Sequence, residues 1–453
     1  MLLDPTEVYK ASANRQLVIG VVGLGRLGAV MAIHFAAKGF EVVGVDVYEA
    51  AVHRLLQGPP DFREEGIEAA WEKAFPRISA STNYDILGKA DVIIFVVGTP
   101  LRGKRVDLSQ VIHAAELAAA VAKTPTLLIL KSTVKVGTTR RVARVFEERG
   151  FRIDHDFCCA FSPERVAEGR MLKELDTIPE IVGGVSPLST ELTAAFFRGL
   201  GKPVVKVSSA EAAELVKLVS NAWIDLNIAL ANQIAPLCTR LNIDLREVIS
   251  AANTLRKGYS YVNILNPGLV GGYCLPKDPY ILMESLHELG IEATLIAEAR
   301  HVNESTVYQI YAALRTLLER YQIASPTRIA LLGLAFKGEV EDVRESQSLV
   351  LYALLKDDGH EVVCYDPYVA SYANIECARS LREAVEGCQA IIVATEHRMF
   401  GEVDWKALLH NNPRPLLFID ARGVTNPQDV LQAGGIVWWG WGRGTYASLQ
   451  HEK

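Results

Sequence analysis

Chemistry in this chain gathers first at Cys274, in the run Asn266-Pro-Gly-Leu-Val-Gly-Gly-Tyr273-Cys274-Leu-Pro-Lys-Asp278-Pro-Tyr280. Small residues before the sulfur let backbone and substrate approach it, and Pro276 and Pro279 stiffen the loop so that the thiol is already placed. A thiol so presented, with a carboxylate four residues on, is the setting of a nucleophile; the alternative is a buried structural cysteine. In Ser162-Pro-Glu164-Arg165-Val-Ala-Glu168-Gly169 two glutamates stand four apart, which predicts one helical face just after a strand. Lys217 and Asn221 repeat that spacing inside a long apolar segment. A lysine there is costly unless its charge has a task, or unless its stem snorkels to solvent.

The elements that must position these groups can be read from the alternation of apolar runs. Short β-branched runs at 17–22, 41–46, 91–97, 126–131, 157–161 and near 181–183 alternate with helical patterns, which predicts a parallel sheet covered on both faces. Residues 209–240 then read as one long helix, apolar almost all round, as expected of a helix buried between domains or subunits. Further helices at 244–252 and 293–319 flank the thiol loop, and strands return at 328–332, 361–366, 390–395 and 416–420. The fold class that follows is α/β: two Rossmann-like doubly wound domains joined by a central helical domain with one long helix. The divisions are a dinucleotide-binding domain at 1–205, a helical domain carrying the thiol loop at 206–322, and a second Rossmann-like domain at 323–453.

Composition bounds the function. With 453 residues, 49% hydrophobic, 22% charged and a formal net charge of −6, the chain is an ordinary globular protein and not a dedicated nucleic-acid binder. Its apolar runs are too short to span a bilayer, and the first 16 residues lack a signal-peptide core, so the expected location is the cytoplasm. Seven irregularly spaced cysteines suit reduced thiols, and no metal-ligand spacing is present.

The cofactor signal is a complete βαβ unit. A strand feeds into Gly23-Leu24-Gly25-Arg26-Leu27-Gly28 and a helix, and Asp46 closes the next strand, 18 residues after Gly28. The glycines permit the turn and the approach of a pyrophosphate, whose charge meets backbone N–H groups. Asp46 would accept hydrogen bonds from the adenosine ribose and repel a 2′-phosphate, so the expected cofactor is NAD. Thr99 and Thr133 stand at the carboxyl ends of later strands, where a doubly wound sheet places ligand contacts.

Taken in order, these motifs, with Lys131-Ser-Thr133-Val-Lys-Val-Gly137, Gly333-Leu-Ala-Phe-Lys337 and Asp342-Val-Arg344-Glu-Ser346, make a recognisable set. The chain resembles the nucleotide-sugar 6-dehydrogenases, the UDP-glucose and UDP-N-acetylhexosamine dehydrogenase family, over nearly its whole length. The resemblance implies oxidation of the C6 alcohol of a UDP-sugar to a carboxylate, with two hydrides passed to NAD through a Cys274 thiohemiacetal and thioester. By the same resemblance Lys217 and Asn221 would stabilise oxyanions, Asp278 would manage protons or position water, Glu164 would be the base for thioester hydrolysis and Thr133 a water-positioning hydroxyl. Glu164, Arg165, Glu168, Lys217, Asn221 and Arg256 would line the sugar, and Lys337 and Arg344 the pyrophosphate. Arg344, among Glu341, Asp342 and Glu345, has an ion-pair alternative. The substrate marks are mixed: residues 162–166 and 262–265 resemble the N-acetylhexosamine branch, Glu168 and residues 274–278 the UDP-glucose branch. Tyr261 and Tyr273 stand where the N-acetylhexosamine enzymes usually carry arginine and histidine. The reading favours UDP-N-acetylmannosamine, with UDP-glucose as the alternative. A single-hydride hydroxyacid dehydrogenase and an inactive NAD-binding scaffold are more distant alternatives, and a homodimer or higher homo-oligomer is expected.

Overall fold

The computed structural model describes residues 3–254 and 262–448 and separates into two compact units, 1–220 with 280–292 and 221–279 with 293–453. In the first unit, apolar runs such as Val18–Val22 and Thr126–Leu130 are buried along nearly their whole length, as strands covered on both faces must be. We number the strands of this sheet β1 Val18–Val22, β2 Glu41–Val45, β3 Ile78–Ser81, β4 Val92–Phe95, β5 Thr126–Leu130, β6 Phe157–Phe161, β7 Glu180–Gly184 and β8 Val204–Lys206. They pair in the order β8-β7-β6-β5-β4-β1-β2-β3, all parallel except for β6 against β7. The order reverses between β1 and β4, so the loops that follow those strands flank the switch point where such sheets bind ligands.

The second unit holds a sheet of β9 Arg328–Leu332, β10 Glu361–Tyr365, β11 Ala390–Val393, β12 Leu416–Asp420, β13 Ile436–Gly440 and β14 Gly444–Ala447, paired β10-β9-β11-β12-β13-β14. Only β13 and β14 are antiparallel, joined by a tight turn in which Gly442 has φ +71°. This sheet also reverses its order, between β9 and β11. The two doubly wound sheets match the fold class expected from the alternation of apolar runs.

Helix α1 (Arg26–Ala37) follows β1, and α2 (Thr138–Glu147) follows β5. The long helix is α3, Ala210–Leu241, within one residue of the expected bounds at each end; α4 is Asp278–His287 and α5 is Thr294–Arg320. Among the described residues no helix is long and apolar enough to cross a membrane.

One expectation fails. Residues 162–167 form no helix, so Glu164 and Glu168 do not share a helical face. Pro163 disfavours helical backbone at Ser162, and Glu164 Oε1 accepts hydrogen bonds from the backbone N–H groups of Arg165 (2.8 Å) and Val166 (3.1 Å). The carboxylate thus satisfies the donors that a helical turn would have used.

Candidate active site

The turn after β1 has the shape its glycines predict. Gly23 sits at φ +95° and donates to the Val45 carbonyl (2.8 Å), and a Cβ there would lie 2.8 Å from the Val96 carbonyl oxygen. A Cβ on Gly28 would fall 1.8 Å from the Gly23 oxygen, whereas one on Gly25, the residue that caps α1, would meet nothing within 4 Å. Two glycines therefore close the turn, and the third leaves its outer side open to a phosphate. Asp46 accepts from Leu24 N–H (2.6 Å) and Tyr48 N–H (2.9 Å) and is only partly buried, which leaves acceptor capacity for ribose hydroxyls. NADP is expected to be used with a kcat/KM about a hundredfold or more below that of NAD, since like-charge contact costs on the order of 3 kcal/mol. Equal kinetics with the two cofactors would remove Asp46 from this role.

At the neighbouring strand ends, Thr99 donates its hydroxyl to the Thr133 carbonyl at 2.6 Å, tying together the loops after β4 and β5. The same β5 loop is anchored from α3. Glu214, buried, accepts from Gly137 N–H (2.6 Å) and from the backbone and hydroxyl of Thr139 (2.7 and 2.6 Å). Burial pushes its carboxyl up to about 7 against the pull of those donors. Glu168, assigned to the substrate, pairs with Arg26 of the cofactor turn, whose guanidinium also lies over Phe62 (5.0 Å). Arg165 is half-buried and donates to the Pro179 carbonyl.

In the second unit the thiol loop is built by asparagines. Asn227 holds both Leu265 N–H and the Asn263 carbonyl (2.7 Å each), and Asn253 holds both backbone groups of Ile264 (2.8 and 2.9 Å). Asn232 holds Gly268 N–H (2.8 Å) and its carbonyl (3.0 Å). The loop then passes close to the segment after β9: a Cβ on Gly271 would lie 2.6 Å from the Glu345 carbonyl, and one on Gly272, at φ +88°, 2.6 Å from the Phe336 ring. Beyond these glycines Cys274 is exposed, and its carbonyl accepts from Lys277 N–H (3.0 Å) and Asp278 N–H (2.8 Å). That turn starts α4 with the fully buried Asp278 one turn from the sulfur. Asp278 Oδ2 accepts from the Asn221 amide (2.5 Å), and Lys277 Nζ is 3.3 Å from Oδ1. The structure therefore joins Asn221, Cys274 and Asp278 in one cluster. Tyr273 lies between Lys277 (5.0 Å) and Arg344 (5.1 Å), both over its ring.

Arg344 is also in a forked contact with the buried Asp342, and Lys337 lies 5.7 Å from the Phe336 ring. Thr133, Glu164 and Lys217 belong to the first unit; Asn221, Cys274, Asp278, Lys337 and Arg344 belong to the second. Arg256 and Tyr261 lie outside the described residues.

The turn after β9 repeats the one after β1. Gly333 has φ +94° and donates to the Tyr365 carbonyl (2.7 Å), and Asp366 accepts from Leu334 and Ala335 N–H (2.8 and 3.0 Å). Asp366, unlike Asp46, is buried and takes three further contacts, from Tyr368 N–H, Val369 N–H and His397 Nε2 (2.9, 3.2 and 3.1 Å).

The dinucleotide turn of the first unit, with its partly open acid, is the binding element of a nicotinamide-dependent dehydrogenase, and the second unit carries an exposed thiol one turn before a buried carboxylate held by an amide. Comparison with known proteins agrees. Three models of the UDP-glucose/GDP-mannose dehydrogenase family match in order: its NAD binding domain at residues 17–200, its central domain at 211–305 and its UDP binding domain at 330–427. The UDP-N-acetyl-D-mannosamine dehydrogenase of Pyrococcus horikoshii is 36% identical over 431 residues, covering 94% of this chain and 99% of the relative. The solved structure of UDP-D-ManNAc dehydrogenase from that organism superposes with a TM-score of 0.86 at 34% identity, over 94% of this chain and 99% of that one. A UDP-glucose dehydrogenase from Pyrobaculum islandicum superposes with a TM-score of 0.82 at 28% identity, over 93% and 96% of the two chains. The chain belongs to the UDP-glucose/GDP-mannose dehydrogenase family, as its ordered motifs imply. It is an NAD-dependent nucleotide-sugar dehydrogenase.

Residue-by-residue reading passed over Lys131, Glu180 and Glu214, all buried and all charged. The available signal was position: Lys131 directly follows the apolar run 127–130, and Glu214 lies one turn before Lys217 in an apolar helix.

Proposed function

We propose that this enzyme oxidises the C6 alcohol of UDP-N-acetylmannosamine to the carboxylate in two steps, with the acyl group held on Cys274 between them. The observation that carries the reading is the exposed Cys274 one turn from the buried Asp278–Asn221 pair. The P. horikoshii enzyme supports the choice of sugar.

Bound NAD supplies the hydride acceptor for each oxidation. Cys274 adds to the C6 aldehyde as a thiohemiacetal, whose oxidation leaves a thioester for water to cleave. Lys217 and Asn221 supply donors to the oxyanions at C6, and Asp278 serves proton movement or water placement. Glu164 takes the proton of the hydrolytic water, and Thr133 orients that water. Arg165, Glu168 and Arg256 contribute to the sugar pocket, and Lys337 and Arg344 bind the pyrophosphate. The three functional segments are 1–205, 206–322 and 323–453. The enzyme is cytoplasmic, a reading supported by its seven irregularly spaced cysteines, which suit reduced thiols better than a disulfide framework.

The test is NADH yield from limiting UDP-N-acetylmannosamine, UDP-N-acetylglucosamine and UDP-glucose in turn. Two NADH per UDP-N-acetylmannosamine, with little from the others, is the expected result. A yield of two from UDP-glucose instead would transfer the assignment to that sugar, and at most one from all three would overturn the two-step reading.

The same reading includes a dimer built on α3. Val219 (50% exposed), Trp223 (57%) and Leu237 (59%) follow one another at helical spacing with Leu230 and Leu241, an apolar stripe of the kind that marks an interface. Sedimentation at micromolar concentration is expected to give a dimer, and Trp223→Asp to weaken it at least about tenfold, the effect of one disrupted anchor. A native monomer would refute the assignment.

A further inference from the structure

Lys131 is a buried cation with more than one carboxylate around it. Its ammonium lies 2.9 Å from Glu180 Oε2, 3.5 Å from Glu164 Oε2 and 3.3 Å from the Ser162 carbonyl, with the Phe197 ring at 5.3 Å. Glu180 is fully engaged: Oε1 meets Lys202 at 2.7 Å, and Oε2 also accepts from the Ser162 hydroxyl at 2.8 Å. Burial alone would protonate Glu180 and deprotonate Lys131, but their mutual attraction, with Lys202 added, reverses both tendencies, so the cluster stays ionised. Glu164 is different. Its Oε1 is held by two backbone N–H groups, while Oε2 is buried and makes no hydrogen bond among the described residues. A buried carboxylate oxygen in that state is costly, and the facing charge that offsets the cost is Lys131.

We propose that Lys131 is a positioning residue for the hydrolytic step: its ammonium, locked to Glu180, faces Glu164 Oε2 and fixes the orientation of that carboxylate. The inference rests on the reading of Glu164 as the hydrolytic base. In that step the water oxygen bonds to the thioester carbon, its proton passes to the Glu164 carboxylate, and the C–S bond breaks with its electron pair on Cys274. Lys202 completes the arrangement by neutralising Glu180, so that Lys131 is not claimed by that carboxylate alone. Titratable groups near the cluster include Arg165, which donates to the Pro179 carbonyl, and His34 of α1, which feels Lys202 and Glu180 as well as Asp176 and Lys38. Burial lowers His34 to about 4, so it carries no charge at neutral pH.

The experiment follows a single turnover of UDP-N-acetylmannosamine, or of whichever UDP-sugar yields two NADH, by rapid quench and intact-protein mass across pH. Lys131→Met is expected to accumulate acyl-enzyme on Cys274 and to move the acid limb of the hydrolysis rate up by about one pH unit, the shift produced by removing one close opposite charge. Lys131→Arg should restore the wild-type limb. Lys131→Met with Glu180→Gln keeps the charge balance and is read by the same criterion if the single variant does not fold. Glu164→Gln separates the two readings. If it accumulates acyl-enzyme while the Lys131 variants hydrolyse with an unshifted limb, Lys131 has no such role and Glu164 remains the base. If Glu164→Gln hydrolyses at the wild-type rate, the base is elsewhere and the inference falls with it.

Discussion

Replacement of Cys274 by serine is expected to leave an enzyme that binds NAD normally and stops after one hydride, releasing at most one NADH per sugar and no uronic acid. Four-electron turnover should fall by at least about a thousandfold, because an alkoxide from serine forms far less readily than a thiolate and an ester is a poorer acyl intermediate than a thioester. The substitution changes one exposed atom on a loop fixed elsewhere. Asn227, Asn232 and Asn253 hold the approach to the loop by its backbone, and Cys274 is linked to α4 through its own carbonyl. An unaltered melting temperature should therefore accompany the loss, and full two-NADH turnover in this variant would overturn the covalent route.

The second large effect is expected at Lys217. Methionine there keeps the length and packing of the stem and removes the charge, so kcat should fall by about 10²- to 10³-fold, or about 3 to 4 kcal/mol, while KM changes little. A snorkelling lysine that merely solvates its helix face would show neither loss. The discriminating measurement is kcat and KM for the first oxidation alone, under conditions where hydrolysis does not limit the signal. A change confined to KM would assign Lys217 to ground-state binding.

Much of this was legible in the chain because the chemistry and the local backbone use the same residues. Gly23 and Gly28 are required by a turn too tight for side chains, and Asp46 follows from strand length alone. Gly271 and Gly272 before Cys274 are explained by two close approaches that the loop motif did not reveal, to the Glu345 carbonyl and to the Phe336 ring. What was not legible depends on partners far away in sequence. Asn227 and Asn232 are unremarkable polar residues in an apolar helix until the backbone 36 to 38 residues later arrives to meet them. Lys131 and Glu180 form one feature only after β5, β6 and β7 have aligned. The spacing of Glu164 and Glu168 misled because period four implies a helix only where the backbone is helical, and Pro163 with the Glu164 side chain directs it otherwise. Strand β3 escaped detection because it is a sheet edge with a single fully buried residue, Ile78. Strand β13, fully buried, lies beyond a glycine pair that reads as a turn.

The duplicated turn carries a consequence for stoichiometry. Both sheets present the same glycine at positive φ and the same acid at the end of the neighbouring strand, yet one acid faces outward and the other is saturated from within. Asp366 has become an internal brace whose loss would loosen its own domain, and it has no acceptor left to offer a ribose. A chain with two copies of one architectural device should thus titrate a single equivalent of dinucleotide.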